Sequence, residues 1–201
     1  MDGKFKRMNF RQFFLLLSIL IVSALSTYLL VWFFKHNNKE IRKIKAEMAW
    51  EHIVIGNEKY ELGDPHGAIE EFTKAIQSNP NQPVAYSSRA DVKESLGDKH
   101  GAISDYSYAI RLNKTMIDAC NLLEEGNNVL GNRQNADFNR DGLDQFNSQL
   151  SGAYFKRGLL MYEIGNKPAG FEDLQRTIEI SKRYGRNDII QGVLECIEEL
   201  S

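Results

Sequence analysis

Residues 63–64, 97–98, 131–132 and 165–166 read Gly-Asp, Gly-Asp, Gly-Asn and Gly-Asn, so one kind of pair recurs in steps of 34 residues. Glycine adopts the left-handed conformation that ends a helix at little cost, and Asp or Asn begins the next helix by accepting backbone N–H bonds. The spacing therefore predicts a helix–turn–helix unit that occurs four times. Self-similarity at this period is typical of helical solenoids, most of which bind other proteins.

Small and aromatic residues keep the same phase in the predicted units, which cover 49–82, 83–116, 117–150 and 151–184. The first unit supplies Gly56, Tyr60, Ala68, Phe72, Ala75 and Pro80, and the second supplies Tyr86, Ala90, Ala102, Tyr106 and Ala109. The fourth supplies Tyr154, Gly158, Met161, Tyr162, Gly170, Leu174 and Thr177. Small residues let two antiparallel helices approach closely, while large ones fill the gaps between neighbouring helices.

This pattern resembles the tetratricopeptide repeat (TPR) family. The resemblance implies an all-α fold: a solenoid of four helix–turn–helix repeats over 49–184. The third unit departs from the pattern, because it places Cys120, Glu124 and Arg140 where the family has packing residues. Its second helix would also contain Asp141-Gly142, a poor helical sequence. We therefore expect 117–150 to be a degenerate repeat of preserved length.

The C-terminal segment 185–201 is predicted to form one further helix. Gly185 can end the last repeat, and Asn187 or Asp188 can begin the next helix. The apolar face of that helix consists of Ile189, Ile190, Val193, Leu194, Ile197 and Leu200. Since a solenoid needs a helix that covers its exposed end, we expect this one to be a capping helix.

An apolar run occupies residues 13–34 and contains no charged residue. At 1.5 Å per residue a helix of that length spans a hydrocarbon core of about 30 Å. We therefore expect a transmembrane helix between a basic tail, 1–12, and a basic juxtamembrane helical linker, 35–48. The expected localisation is a single-pass membrane protein, with the lipid bilayer as one partner and the repeats on the cytoplasmic side. The alternative is a signal segment cleaved after Ser26, which would release a secreted or lumenal domain.

Charge is distributed unevenly along the chain. Residues 1–45 carry nine Lys or Arg against two acidic residues, whereas residues 46–201 carry 16 against 25. Because nucleic-acid binding needs clustered Lys and Arg, the acidic domain argues against a nucleic-acid partner. The two cysteines, Cys120 and Cys196, do not define a disulfide framework.

Candidate chemistry is sparse, and we expect neither an enzyme nor a cofactor. Residues 137–142 read D-x-N-x-D-G, the opening of an EF-hand loop, but Ser148 replaces the bidentate glutamate at loop position 12. A calcium-responsive sensor using 137–148 is therefore an alternative function only. The four histidines lack the close spacing to a second ligand that zinc sites prefer, so no metal site is predicted.

The TPR resemblance implies a concave groove lined by fixed positions of each first helix. Carried over, the candidate partner-binding residues are Trp50, Ile53, Asn57, Tyr60, Glu61, Ser87, Asp91, Glu94, Asp118, Asn121, Glu125, Phe155, Leu159, Tyr162 and Glu163. Six of them are acidic and none is basic. A cleft of one sign attracts the opposite charge, so we expect a basic or neutral, partly apolar peptide segment.

Family members that grip acidic chaperone tails use a two-carboxylate clamp of Lys, Asn and Arg. At the five clamp positions, units one to three of this chain have Ile53, Asn57, Ser88, Asp118 and Leu122. The basic members are absent, so we expect no clamp binding of a chaperone tail. The function expected from the sequence is a membrane-anchored scaffold or assembly factor that binds a protein partner.

Overall fold

The computed structural model describes residues 10–130 and 133–200, without the side chains at 12–13, 15–16, 19, 34, 36 and 126–141. The chain divides into two compact units, Met1–Lys45 and Ala46–Ser201. The described residues are all-helical and include no strand. The helices are α1 (Phe10–Glu61), α2 (Pro65–Ser78), α3 (Pro83–Ser95), α4 (Lys99–Leu130), α5 (Arg133–Glu163), α6 (Lys167–Arg183) and α7 (Asn187–Leu200).

The apolar run 13–34 lies inside helix α1. Within the described residues, no helix combines the length and the apolar character that a bilayer crossing demands. A spanning helix needs about 20 consecutive apolar residues, and α1 carries the run together with the charged segment that follows it. The side chains at 13, 15–16, 19 and 34 lie outside the described set. The predicted transmembrane anchor is therefore not supported, and the localisation based on it is wrong.

Glycine turns separate the short helices, as the repeated pairs predict. The glycines with positive φ are Gly63, Gly97, Gly165 and Gly185. After two of them, Asp64 and Asp98 each accept a hydrogen bond of 2.9 Å from the N–H three residues later. Asn166 precedes α6 without a side-chain cap. The remaining pair, 131–132, lies outside the described residues.

The chain does not turn on either side of the predicted third unit. Helices α4 and α5 contain 32 and 31 residues, against 14 in α2. Between the first two units, Pro80 follows the end of α2 and Pro83 begins α3. Proline stops a helix because it lacks an N–H and clashes with the preceding turn. Lys114 and Ile117 hold the equivalent positions in α4, so the helix continues.

Two equivalent hydrogen bonds identify which units are neighbours. Arg89 of α3 donates to the Thr73 hydroxyl of α2 at 3.0 Å, across 16 residues of sequence. Arg157 of α5 donates to the Ser107 hydroxyl of α4 at 2.9 Å, across 50 residues. The separations differ by 50 − 16 = 34 residues, the length of one unit. The fourth unit therefore stacks directly on the second, in the place expected for the third.

The hydrophobic cores agree with this order. One core joins α1, α2 and α3 and consists of Ala49, Ile53, Ala68, Phe72, Ala75, Ala85 and Val92. The other joins α3, α4 and α5 and consists of Ala90, Ala102, Ile103, Tyr106, Ile110, Leu150, Ala153 and Leu160. Side chains of the second and fourth units thus share one buried cluster, which buries the apolar faces of both.

Ion pairs with a buried carboxylate join the two helices of the second unit and the two helices of the fourth. Arg89 contacts Asp105 at 2.7 Å, and Arg157 contacts Asp173 at 2.6 Å. Both carboxylates accept two N–H bonds from the guanidinium, a geometry that orients the partners. Removing one partner of such a buried pair leaves an uncompensated charge and costs about 3–5 kcal/mol.

Residues 117–130 and 133–149 extend α4 and α5 beyond the stacked units, and we call them the hairpin arm. The two helices are antiparallel, because Ile110 and Leu150 share a cluster although the helices are joined at 131–132. On the arm, Leu122 and Leu123 are 69% and 58% exposed. The arm therefore occupies the sequence of the third unit without taking a place in the stack.

Helix α7 follows α6 after the Gly185 turn. Val193 is buried, whereas Leu194, which the sequence assigned to the same apolar face, is 43% exposed. Ile189, Ile190 and Ile197 are half-buried. The capping role of 185–201 stays a prediction.

Candidate functional site

The first helices of the second and fourth units and helix α7 form one surface, which consists of α3, residues 150–163 of α5 with Ser148 and Gln149 at the base of the arm, and α7. We call it the groove face. The α3–α5 cavity has a volume of about 300 Å³ and is lined by Val84, Ser87, Asp91, Tyr106, Gln149, Gly152, Ala153 and Lys156. The α5–α7 cavity has a volume of about 620 Å³ and is lined by Ser148, Ser151, Gly152, Phe155, Thr177, Ile189, Gly192, Val193, Glu195, Cys196 and Glu199. Gly152 lines both cavities and so connects them.

The candidate residues of the first unit lie on the last turns of α1. Trp50 and Tyr60 are 52% and 42% exposed, and Asn57 and Glu61 are also exposed. Ile53 is 2% exposed and belongs to the core with α2 and α3. Four of these five side chains are therefore accessible to a partner, and none of the five lines the two cavities.

The candidate residues of the second unit meet around the hydroxyl of Tyr106. Ser87 and Asp91 line the α3–α5 cavity. The Tyr106 hydroxyl donates to the carboxylates of Asp91 and, at 3.0 Å, of Glu94. Burial of the ring, followed by the nearby carboxylates of Asp91 and Glu94, raises the pKa of Tyr106 far above its usual range. The phenol therefore stays protonated and holds both carboxylates in place.

Lys156 adds a basic group that is absent from the candidate groove residues. Its ammonium lies 2.6 Å from Oδ1 of Asp91, and the two side chains are 45% and 40% exposed. An ion pair at this exposure contributes about 0–1 kcal/mol, so a partner can displace it at little cost. No pattern in the sequence pairs these two residues, because the third unit lies between them in the chain.

The candidate residues of the third unit are separated from the others. Asp118, Asn121 and Glu125 are exposed on the hairpin arm. They line neither cavity of the groove face. The stack order explains this: the fourth unit, and not the third, follows the second.

The candidate residues of the fourth unit lie on the second half of α5. Phe155 lines the α5–α7 cavity, and Leu159 is half-buried. The Tyr162 hydroxyl donates to the backbone carbonyl of Leu200 at the end of α7. Glu163 is exposed and forms an ion pair of 3.0 Å with a lysine at the start of α4. Phe155 is therefore the member of this group that a partner in the cavity would contact.

Sequence reasoning missed the contribution of α7 to the groove face. Ile189, Gly192, Val193, Glu195, Cys196 and Glu199 all line the α5–α7 cavity. The amphipathic pattern of this helix indicated a capping helix. Such a pattern separates buried from exposed residues, but it does not show which exposed residues face a cavity. The one available signal was the 34-residue phase, which places α7 where the first helix of a further unit would begin.

The segment proposed for calcium, 137–148, lies within helix α5. An EF-hand needs a loop whose oxygens converge on the ion. The side chains of 137–141 lie outside the described residues. Among the described ones, no group of three or more His, Cys, Asp or Glu could hold a metal. The calcium alternative therefore gains no support.

The stack order also changes which residues occupy the clamp positions. When the five clamp positions are taken from units one, two and four, they hold Ile53, Asn57, Ser88, Gly152 and Lys156. Asn57 matches the clamp, and Lys156 places a basic residue where the clamp has Arg, but Lys156 is already paired with Asp91. The other two basic members are replaced by Ile53 and Gly152.

No protein-family model matches the chain, and no curated protein matches it. Solved TPR domains do resemble it. The first TPR of Spaghetti (RPAP3), bound to the HSP90 peptide SRMEEVD, has 18% identity and a TM-score of 0.51 over 76% of this chain and 95% of that one. The second TPR of Spaghetti (RPAP3), bound to the same peptide, has 18% identity and a TM-score of 0.50 over 70% and 98%.

The first TPR domain of human RPAP3, solved by NMR, has 18% identity and a TM-score of 0.51 over 77% of this chain and 96% of that one. At this level of identity the likeness concerns the fold. The part of the chain that the structure describes is thus all-helical, with a fold similar to that of solved TPR domains.

Proposed function

We propose that this protein is a non-catalytic interaction module that binds an extended peptide segment of a partner protein on its groove face. The observation that carries this proposal is the pair of cavities that meet at Gly152 between consecutive first helices. Clefts lined by side chains of several rigid helices are typical ligand sites. The two solved TPR domains that hold an HSP90 peptide support a peptide partner for this fold.

The charge of the groove face favours a basic or neutral segment. Glu94, Glu195 and Glu199 are acidic groups on this surface, while Lys156 is paired with Asp91. The cleft therefore presents a negative potential, which attracts cationic ligands and repels anionic ones. The HSP90 peptide SRMEEVD of the similar domains carries several acidic residues, so we propose a partner of different chemistry.

Gly152 offers a direct test. A Cβ added there would meet no atom within 4 Å, so the backbone accepts a side chain at this position and Gly152→Leu places an isobutyl group in the groove. Peptides selected from a random nine-residue phage-displayed library against the full chain would be measured by fluorescence anisotropy. We expect Gly152→Leu to weaken the selected peptides about tenfold or more, because the leucine occupies the space of a ligand side chain.

Gly142→Leu is the matched control. Gly142 lies in α5 on the hairpin arm, and among the described side chains an added Cβ would touch Phe146 at 3.9 Å. Both variants replace a helical glycine by leucine, so both gain helix propensity. If the selected peptides bind Gly152→Leu and Gly142→Leu equally well, the groove face is not the binding site.

A further inference from the structure

The α5–α7 cavity has an apolar wall on both sides. Phe155 of α5 faces it from one helix, and Ile189 and Val193 of α7 from the other. Gly152 and Gly192 also line it, and a Cβ at either position would meet no atom within 4 Å. The cavity therefore has room for a large side chain in contact with aromatic and aliphatic groups.

Most hydroxyl groups beside this wall already form hydrogen bonds within the protein. Ser151 and Ser181 lie 3.2 Å apart, oxygen to oxygen, and share a hydrogen bond. The Thr177 hydroxyl donates towards the carbonyls of Asp173 and Ser151 at 3.1 and 3.3 Å. Ser148 is the remaining hydroxyl and is exposed. An occupant of the deeper cavity thus gains mainly apolar contact.

The charged groups at the cavity are acidic. Glu195 and Glu199 are exposed and lie one helical turn apart on α7, about 6 Å along its axis. Glu195 accepts a hydrogen bond of 3.0 Å from Gln191, a neutral group that leaves its charge uncompensated. None of the residues that line the cavity is basic. A cationic side chain at the rim would therefore find two carboxylates without a competing ammonium or guanidinium.

We propose that the α5–α7 cavity takes a bulky apolar side chain, Phe or Leu, from a partner segment in which Lys or Arg flanks that residue. This proposal rests on peptide binding by the groove face and assigns the chemistry of one subsite. Apolar burial against Phe155 and Ile189 supplies most of the affinity, because surface ion pairs contribute little. Pairing of the flanking cations with Glu195 and Glu199 supplies the selectivity against acidic segments.

Three nine-residue probes test the two parts separately. The first centres on Lys-Phe-Lys, the second on Glu-Phe-Glu and the third on Lys-Ser-Lys, within the same Gly/Ser flanks. Fluorescence anisotropy with the full chain measures each dissociation constant. We expect the Lys-Phe-Lys probe to bind about 30-fold tighter than Lys-Ser-Lys and about three- to tenfold tighter than Glu-Phe-Glu.

Variants of α7 provide the internal control. The double variant Glu195→Gln/Glu199→Gln should abolish the preference for Lys-Phe-Lys over Glu-Phe-Glu. Glu198→Gln, which removes a charge from the same helix at a residue that does not line the cavity, should retain it. Equal binding of all three probes, or equal loss in the Glu198→Gln control, would overturn the proposal. Library peptides whose affinity falls in Gly152→Leu but does not change in Glu195→Gln/Glu199→Gln would overturn this subsite. The same result would still support peptide binding by the groove face.

Discussion

At the residue scale, the side-chain amide of Asn113 is fully buried, and neither its oxygen nor its nitrogen has a hydrogen-bond partner among the described residues. The equivalent residue of the first unit, Asn79, lies in a turn, where its side chain accepts from the N–H of Asn81 at 3.2 Å. A residue suited to a turn thus lies inside a continuous helix. Burying an unsatisfied polar group costs about 1–3 kcal/mol.

Asn113→Leu should therefore raise the free energy of unfolding by about 1–2 kcal/mol, because it removes the buried unpaired amide. Asn147→Leu is the matched control: Asn147 is also buried, but its Nδ2 donates to Leu143 O and to the Tyr184 hydroxyl, both at 2.7 Å. The free energy of unfolding of that variant should fall by about 1–2 kcal/mol, because the mutation removes satisfied hydrogen bonds. Urea unfolding followed by circular dichroism measures both. A loss of stability in Asn113→Leu as large as in Asn147→Leu would contradict this interpretation.

Glu71 gives a prediction for acid conditions. A hydrogen bond from Lys74, followed by those from His52 and Lys59, lowers the pKa of Glu71 from 4.5 to about 2, although burial opposes the shift. Because the folded-state pKa is depressed, the stabilisation is present above pH 4.5 and is lost as the pH falls towards 2. The stability difference between the native protein and Glu71→Gln should thus be constant near pH 7 and shrink between pH 4.5 and 2. A difference that does not change over this range in urea titrations at several pH values would refute the prediction.

At the element scale, the contact between α5 and α6 depends on two glycines. A Cβ at Gly170 would lie 2.7 Å from the carbonyl oxygen of Gly158 and 3.0 Å from the backbone nitrogen of Tyr162. Backbone atoms cannot rotate away, so the helices would have to separate. Gly170→Ala should therefore lower the free energy of unfolding by about 1–3 kcal/mol.

Gly152→Ala is the comparison for that helix pair, since its Cβ would meet no atom within 4 Å. The free energy of unfolding of Gly152→Ala should rise by about 1 kcal/mol, because alanine has the higher helix propensity. Thermal unfolding of the two variants beside the native protein checks both signs. Gains of equal size would show that α5 and α6 are not in close contact at Gly170.

Much of the fold at this scale could be predicted from the sequence. Positive-φ glycines end the helices at 63, 97 and 165, and the small residues at 158 and 170 mark close helix approach. The continuation of α4 could not be predicted from length, because the arm and a normal repeat both occupy 34 residues. Lys114 in place of a proline was a visible signal. The absence of proline permits the helix to continue but does not require it, because tertiary packing decides whether a helix extends or ends.

At the scale of the whole molecule, most of the hairpin arm lies outside the stack that carries the groove face, although Ser148 and Gln149 at its base line the two cavities. Deletion of 117–150 would join the second unit directly to the fourth, in the register that Arg157 and Ser107 already adopt. We expect the shortened chain to stay helical and to unfold cooperatively, because the core that contains Tyr106 and Leu160 loses only Leu150 and the partly buried Ile117 at its edge. Loss of the cooperative thermal transition in circular dichroism would show that the arm is part of the stack.

The candidate site was predictable only in part for the same reason. Family positions identified Ser87, Asp91 and Phe155, which do line the two cavities. They also selected residues on the arm and omitted Lys156 and α7, because they assume that consecutive units are neighbours. Which first helices lie side by side is a property of the stack, and the spacing of glycines does not encode it.

Zero-length carbodiimide crosslinking tests the order of the stack most directly. It joins a carboxylate to an amine only in direct contact, and Lys156 Nζ lies 2.6 Å from Oδ1 of Asp91. If the third unit followed the second in the stack, Lys156 would instead approach Glu125, which holds the position in the third unit that Asp91 holds in the second. Tryptic peptides from the monomer band, read by mass spectrometry, should contain the Asp91–Lys156 link. A Glu125–Lys156 link without Asp91–Lys156 would contradict the account.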